Sequence, residues 1–297
     1  MDLSLVDLHS HTHESDGSLA PEELIALAKN TGLRALAITD HDTLEGYLKA
    51  RQPATDAGIE LICAIELNSR LYFAPPGGDY RSVHLLGYFL AGPPSGPFTA
   101  RLQKALEDRR TRNGQLINRL RGLGIDITLE EVENRGRTLT GRPHFARVLV
   151  EKGYASSFDD AFTRYIGETA PTFVERESQT TEQAIQSIRD AGGIPSLAHP
   201  IRLSMTRDGE RAVILRMKEA GLLALEVFHS EHNADEQAYY SRLAKDLDLL
   251  PTGGSDFHGA PKPNVKLGSG INNNIRVPYT IVEQMRKLLQ QPTEHRA

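Results

Sequence analysis

Apolar and polar positions along this chain fall into two alternating registers. Short runs of β-branched and apolar residues recur, and stretches with helical spacing lie between them. The strand-like runs are LSLVDLH (3–9), RALAIT (34–39), IELICAIEL (59–67), VHLLGYFL (83–90), GIPSLAH (193–199), ALEVFH (224–229) and LLPTGGSD (249–256). PEELIALAKN opens on Pro21 and stops before Gly32, the expected asymmetry of a helix. Residues 43–57 read as the helix after the second strand. TTEQAIQSIRDAGG, RDGERAVILRMKEAG and ADEQAYYSRLAKDLD read as the helices before the last three. Strands that are apolar throughout belong to a parallel sheet covered on its outside. About seven such units suit a closed or nearly closed β/α barrel, with an open doubly wound sheet as the alternative.

One segment breaks the rhythm. AGPPSGPF reads as a linker, and residues 100–178 then have helical spacing without clear strands. The chain is therefore read as a barrel of residues 1–99 and 179–297, interrupted by a helical insertion of residues 100–178. The insertion carries 14 Lys and Arg against 12 Asp and Glu, whereas the rest carries 20 against 27. Basic groups are thus concentrated in the insertion. A solvated helical face and a cap that brings cations to an anionic substrate both fit that bias.

Composition narrows the class. A chain of 297 residues with 39% hydrophobic content can bury one large core. A net charge of -5 does not suit a non-specific nucleic-acid or membrane-surface binder. Cys63 is the one cysteine, so no disulfide forms within the chain. No signal peptide is read at the N-terminus, and no apolar run approaches the roughly 20 residues of a membrane span. A soluble, cytoplasmic protein is expected.

The histidines carry the chemistry. Seven of eleven (His9, His11, His41, His84, His199, His229 and His258) fall in or just beyond a predicted strand, mostly at its C-terminal part. His84 is off this pattern, nearer its strand's start. Carboxylates share these places: Asp7, Asp16, Asp40, Asp42, Glu66, Glu226 and Asp256. Strand C-termini form the functional face of a β/α barrel, so these residues converge there. His9 and His11 form an H-x-H pair whose rings project to one side of an extended chain. Glu66 lies between Ile65 and Leu67, where a carboxylate is costly unless a cation compensates it. Asp256 and His258 form a D-x-H pair after two glycines. Singly, each has a bland reading as a turn or core residue; together they place nitrogen and oxygen ligands at nearly every strand end. With no thiolate in the set, manganese is the first expectation, with iron or zinc as alternatives. The ligands are too many for one ion, so two or three are expected.

DLHSHTHESDGSLAPEEL, AITDHDTLEG, the strand-ending Glu66, SVHLLGYF, SLAHP and GGSDFHG resemble the successive motifs of the PHP (polymerase and histidinol phosphatase) family. The order of motifs and the helical insertion resemble its TrpH/YciV-like branch, which includes nucleoside 3′,5′-bisphosphate phosphatases and a 5′-to-3′ exoribonuclease. The resemblance implies a distorted (β/α)7 TIM-like barrel with up to three metals. Carried over by motif, His9, His11, Glu66 and Asp256 would hold one ion. Glu66 would bridge to a second, held with His84 and His199. Asp16, His41 and His258 would hold a third.

Metal-assisted attack of water on phosphorus is then expected, with no Ser or Cys nucleophile. His229 is the candidate acid or substrate contact, beside Glu66 at the reacting centre. Arg142 and His144, with Arg147, are the candidates for gripping a second phosphate. The expected substrate is a nucleoside 3′,5′-bisphosphate losing its 3′-phosphate, with short RNA as the alternative. An amidohydrolase acting on C–N bonds is a further reading, but it would usually place a lysine at a strand end, and none is found. A non-catalytic module of this family would be expected to have lost ligands.

Overall fold

The computed structural model describes residues 5–73, 79–136, 140–175 and 178–291. Small parts of the expected barrel and insertion ranges (1–4, 74–78, 137–139, 176–177 and 292–297) lie outside the described residues. The first half-barrel comprises β1 (Leu5–Asp7), α1 (Pro21–Asn30), β2 (Ala35–Ile38), α2 (Glu45–Ala57), β3 (Glu60–Tyr72) and β4 (Tyr80–Phe89). Helices α3 (Pro97–Gly122), α4 (Leu129–Glu133), α5 (Arg142–Glu151) and α6 (Phe158–Ala161) follow, the last running into a π-helical turn at Phe162–Ile166. Then come α7 (Thr181–Asp190), β5 (Ile194–Leu197), a 3-10 turn at Pro200–Leu203, α8 (Arg207–Glu219), β6 (Ala224–His229), α9 (Ala234–Asp246), β7 (Leu250–Gly254), β8 (Val277–Pro278) and α10 (Thr280–Gln290).

Local chemistry sets the helix starts. At α7 the Gln183 N–H donates to Thr180 Oγ1 (3.2 Å) and the Thr180 N–H donates to Gln183 Oε1 (2.9 Å). Asn233 and Glu236 make the same reciprocal pair at α9. Pro21 opens α1, with Glu22 and Glu23 in its first turn and Lys29 in its last, each favourable to the helix dipole.

The strands form one sheet in the order β7-β6-β5-β4-β3-β2-β1-β8. The expectation of a parallel sheet fails at one strand: β4 runs antiparallel to both β3 and β5. Only residues 73–79 separate β3 from β4, and a parallel crossover needs a dozen residues or more. The chain must therefore turn straight back. The two-residue β8, which the hydrophobic pattern does not mark, pairs antiparallel with β1 through Val6 and Val277. Past Asp7, the chain pairs with the chain of and beyond β7. Leu8 N–H donates to the Gly253 carbonyl (3.2 Å), Asp256 N–H to His9 (2.8 Å) and His11 N–H to Phe257 (2.9 Å). These bonds nearly close the barrel at one end. Gly254 makes the approach feasible, because a Cβ there would come within 2.2 Å of the His9 backbone nitrogen.

Helices α3 to α6 pack around their own apolar cluster, which includes Leu116, Ile117, Leu120, Phe145, Leu149 and Ile166. Arg109 of α3 ties them to the barrel through an ion pair with Asp42. Among the described residues no helix is long and apolar enough to cross a membrane.

Candidate metal centre

The closed end of the barrel gathers all nine expected ligands. His9 and His11 follow β1, Asp16 lies in the loop beyond, and His41 follows β2. Glu66 sits within β3, His199 follows β5, and Asp256 and His258 follow β7. His84 joins them because β4 is reversed: it stands opposite Asn68 of β3, so its strand's start lies at the same end as its neighbours' finishes. The backbone is held in unusual conformations here. Asp42, His199 and Asp256 have φ of 50°, 28° and 56°, a region that side chains other than glycine's rarely adopt, as occurs where a site is tightly determined.

Glu66, 1% exposed, is the hub. Its Oε2 lies 3.1 Å from His11 Nε2, 3.3 Å from His9 Nε2 and 3.4 Å from His41 Nδ1. Its Oε1 lies 2.9 Å from both His84 Nδ1 and His199 Nε2. Asp256 Oδ1 faces His11 Nε2 (3.4 Å), His9 Nε2 (3.5 Å) and His258 Nδ1 (3.4 Å). Asp16 faces His258 Nε2 at 3.3 Å and His41 Nε2 at 3.6 Å. Four of the groupings whose candidate ligand atoms lie within 4.8 Å of one another are His11–Asp16–His41–His258, His9–His11–Asp256, His9–Glu66–His199 and His41–Glu66–His84.

Three ring nitrogens in this cluster (His9 Nε2, His11 Nε2 and His41 Nδ1) are buried without a hydrogen-bond partner. Buried polar atoms are rarely left so, and these are aimed at carboxylates that divalent ions would share. The donor set fits such ions. Outer contacts also leave the right atom free. His9 Nδ1–H donates to Glu226 Oε1 (2.8 Å), which turns its Nε2 lone pair inward. His258 Nδ1–H donates to the Asp256 carbonyl (2.8 Å) with the same result. Glu226 also accepts the His199 N–H at 2.6 Å.

Electrostatics divide the imidazoles. Burial disfavours charge on His11, but the facing carboxylates of Asp256 and Glu66 prevail and lift it to about 9. His9 is raised well above the ordinary range against burial by Glu226, Glu66 and Asp256. Burial wins at His41, pushed down to about 4 despite Glu66 and Asp16. Burial raises the Asp256 carboxyl, but His258, Lys262 and His9 hold it well below the usual carboxylate range.

Two cavities, each of about 290 Å³, meet at this cluster and share Asp16, His41, His84, Pro143 and His144 in their walls. The first runs under the helical segment, between Arg70, Arg109, Arg112, Arg142, Tyr80 and Phe173. The second reaches Glu66, Asp256 and His258 and is walled by Arg147, Arg202, Lys262 and Phe158. Arg142 lies in the first cavity, Arg147 in the second, and His144 in both. His144 is buried at the start of α5, where its Nδ1 accepts the Gly141 N–H (3.0 Å). His229 lines neither cavity: it is fully buried, its Nδ1 accepts the Glu231 N–H (3.1 Å), and its Nε2 lies 3.4 Å from Asp256 Oδ2.

Sequence reading left several members without a role. Glu226 stood out only as one more strand-end acid. Asp40 holds the loop after His11 by accepting from Thr12 N–H (2.8 Å) and Ser15 Oγ (2.7 Å). Asp7 accepts from Ser255 Oγ (2.6 Å) and so ties β1 to the chain beyond β7. Arg202 and Lys262 meet Asp256 Oδ2 at 2.8 and 2.6 Å. Nothing in the local sequence around these two cations marks them out.

Comparison with known proteins shows the family. The model of the PHP domain matches residues 7–250. A 5′-3′ exoribonuclease of Haemophilus influenzae is 33% identical over 267 residues, covering 90% of this chain and 94% of that protein. A 3′,5′-nucleoside bisphosphate phosphatase of Chromobacterium violaceum is 30% identical, covering 85% of this chain and 87% of its own. A crystal structure from Bifidobacterium adolescentis, assigned as a metal-dependent phosphoesterase, superposes with a TM-score of 0.79 at 27% identity, covering 98% of both chains. The chain belongs to the PHP domain family and is a metal-dependent phosphoester hydrolase.

Proposed function

We propose that the chain removes the 3′-phosphate from nucleoside 3′,5′-bisphosphates, leaving the 5′-mononucleotide. The observation that carries this reading is the first cavity. It opens directly onto the cluster and sets four arginines beside three aromatic rings, Tyr80, Phe162 and Phe173. A nucleoside fits such a wall by stacking, while a second phosphate meets guanidinium groups that grip it bidentately. Arg142 and His144 are assigned to that phosphate, and Arg147 to the edge of the scissile one. The relative from Chromobacterium violaceum is named for the same substrate class.

His9, His11, Glu66 and Asp256 would hold one divalent ion, Glu66 with His84 and His199 a second, and Asp16, His41 and His258 a third. Manganese is our choice. When bound, such ions polarise the phosphoryl oxygens and supply a water nucleophile near neutral pH. The protein's own contribution is placement. Glu66 offers one oxygen to each of two groups of imidazoles, so it sets their spacing. Glu226 fixes the rings of His9 and the backbone of His199. His229 is assigned as a positioning residue that acts through Asp256. The helical segment of residues 100–178 acts as a cap that supplies the basic wall. The lone, buried Cys63 suits a reducing cytoplasm.

The second reading is removal of nucleotides from short 5′-phosphorylated RNA. The second cavity favours it, because Phe158 at its wall is 42% exposed and could stack a further base. Manganese-loaded protein incubated with adenosine 3′,5′-bisphosphate, a 5′-mononucleotide and a short 5′-phosphorylated RNA separates the two. Phosphate release from the bisphosphate with intact RNA supports the main reading. Shortened RNA with an untouched bisphosphate refutes it.

A further inference from the structure

We propose that Arg202 and Lys262 form a cation pair that grips the phosphoryl group while it is transferred. The inference rests in part on the phosphoester reading above. Its basis is the way Asp256 is divided. Oδ1 faces the ring nitrogens of His9, His11 and His258 at 3.4–3.5 Å. Oδ2 faces the other way and accepts from Arg202 at 2.8 Å and Lys262 at 2.6 Å. Both cations therefore stand one carboxylate's width from the cluster.

Holding one carboxylate oxygen does not require two cations. Glu231 also anchors Arg202, accepting from its Nε at 3.0 Å and, at 2.6 Å, from the same terminal nitrogen that donates to Asp256. That leaves Lys262, on the loop after β7, as a second positive charge on the same oxygen. Neither is sealed away: the side chains are 36% and 31% exposed and line the cavity that reaches Glu66 and His258. A guanidinium and an ammonium at the cavity wall match the need of phosphoryl transfer, which spreads charge over three equatorial oxygens. In the reaction, a water oxygen bonds to phosphorus as the P–O3′ bond breaks. The electron pair of that bond goes to O3′, and the protons of water end on the 3′-hydroxyl and on phosphate. Arg202 and Lys262 hold the non-bridging oxygens throughout, with no change in their own bonds.

Lys262→Met, Lys262→Arg and the parent protein, each loaded with manganese, test this. Three quantities are read: bound manganese, affinity for inorganic phosphate by calorimetry, and kcat for the bisphosphate. Lys262→Met is expected to keep the parent's manganese, bind phosphate about tenfold more weakly and lose about 10²-fold in kcat. Lys262→Arg should recover most of both. Loss of manganese in Lys262→Met, or phosphate affinity equal to the parent's, overturns the proposal and makes Lys262 only a holder of Asp256. The phosphate measurement needs no bisphosphate. A parent protein that binds phosphate but leaves bisphosphates intact would therefore fail the substrate assignment and not this one.

Discussion

Replacing Glu66 by Gln removes one negative charge and one oxygen from the centre of the cluster. The side chain keeps its size, so packing at this buried position changes little. Five imidazole nitrogens lie 2.9–3.4 Å from the two carboxylate oxygens. An amide can offer its oxygen to one group of these, and its NH2 cannot accept at all. The hub therefore fails on one side whichever way the amide turns. Removing one partner of a buried charge pair costs about 3–5 kcal/mol. At about 1.4 kcal/mol per tenfold, that is a factor of about 10²–10⁴ in metal affinity. Manganese titration of metal-free protein, followed by elemental analysis after desalting, reads this directly. Glu66→Gln should retain at least one ion fewer than the parent and lose phosphatase activity in proportion. Unchanged metal content together with unchanged activity would refute the bridging role.

Three further outcomes follow from the same geometry. Glu226→Gln loosens His9 and His199 without touching the inner cluster, so manganese should bind about 10–100-fold more weakly, as read by calorimetry. His11, lifted to about 9, holds a proton at pH 7 in the metal-free cluster, and an incoming ion must expel it. Metal affinity should rise as pH approaches 9 and fall below 7; calorimetry in buffers of different ionisation enthalpy should show proton release, and its absence would contradict the assignment. Gly254→Ala forces a Cβ to 2.2 Å from the His9 backbone nitrogen, which no side chain can yield to. Thermal unfolding should report a loss of about 1–3 kcal/mol together with weakened metal binding.

The sequence made much of this site legible, and the reason is periodicity. Strand ends in a barrel share one face, so His9, His41 and Asp256 converge wherever the strands are correctly placed. What apolar runs do not encode is direction. VHLLGYFL has the same pattern read either way, and His84 therefore looked misplaced. The clue lay between the strands, in APPGGD (74–79): a short Pro- and Gly-rich stretch that suits a reversal and is too short for a crossover helix. Arg202 and Lys262 were beyond reach for a different reason. Each is an ordinary loop cation until tertiary closure brings it to Asp256. Glu226 looked like one more strand-end acid, because nothing in ALEVFH shows that its carboxylate meets a ring on β1. The pairing of β8 likewise depends on a neighbour about 270 positions away in the chain.

The nine clustered side chains are assigned to the ions that perform phosphoester hydrolysis. Anomalous diffraction at the manganese edge, from crystals grown with manganese, locates those ions. Two or three peaks are expected among these side chains, with Glu66 between two of them. Active protein whose crystals show no peak there, or whose peaks lie away from Glu66 and Asp256, would contradict that assignment.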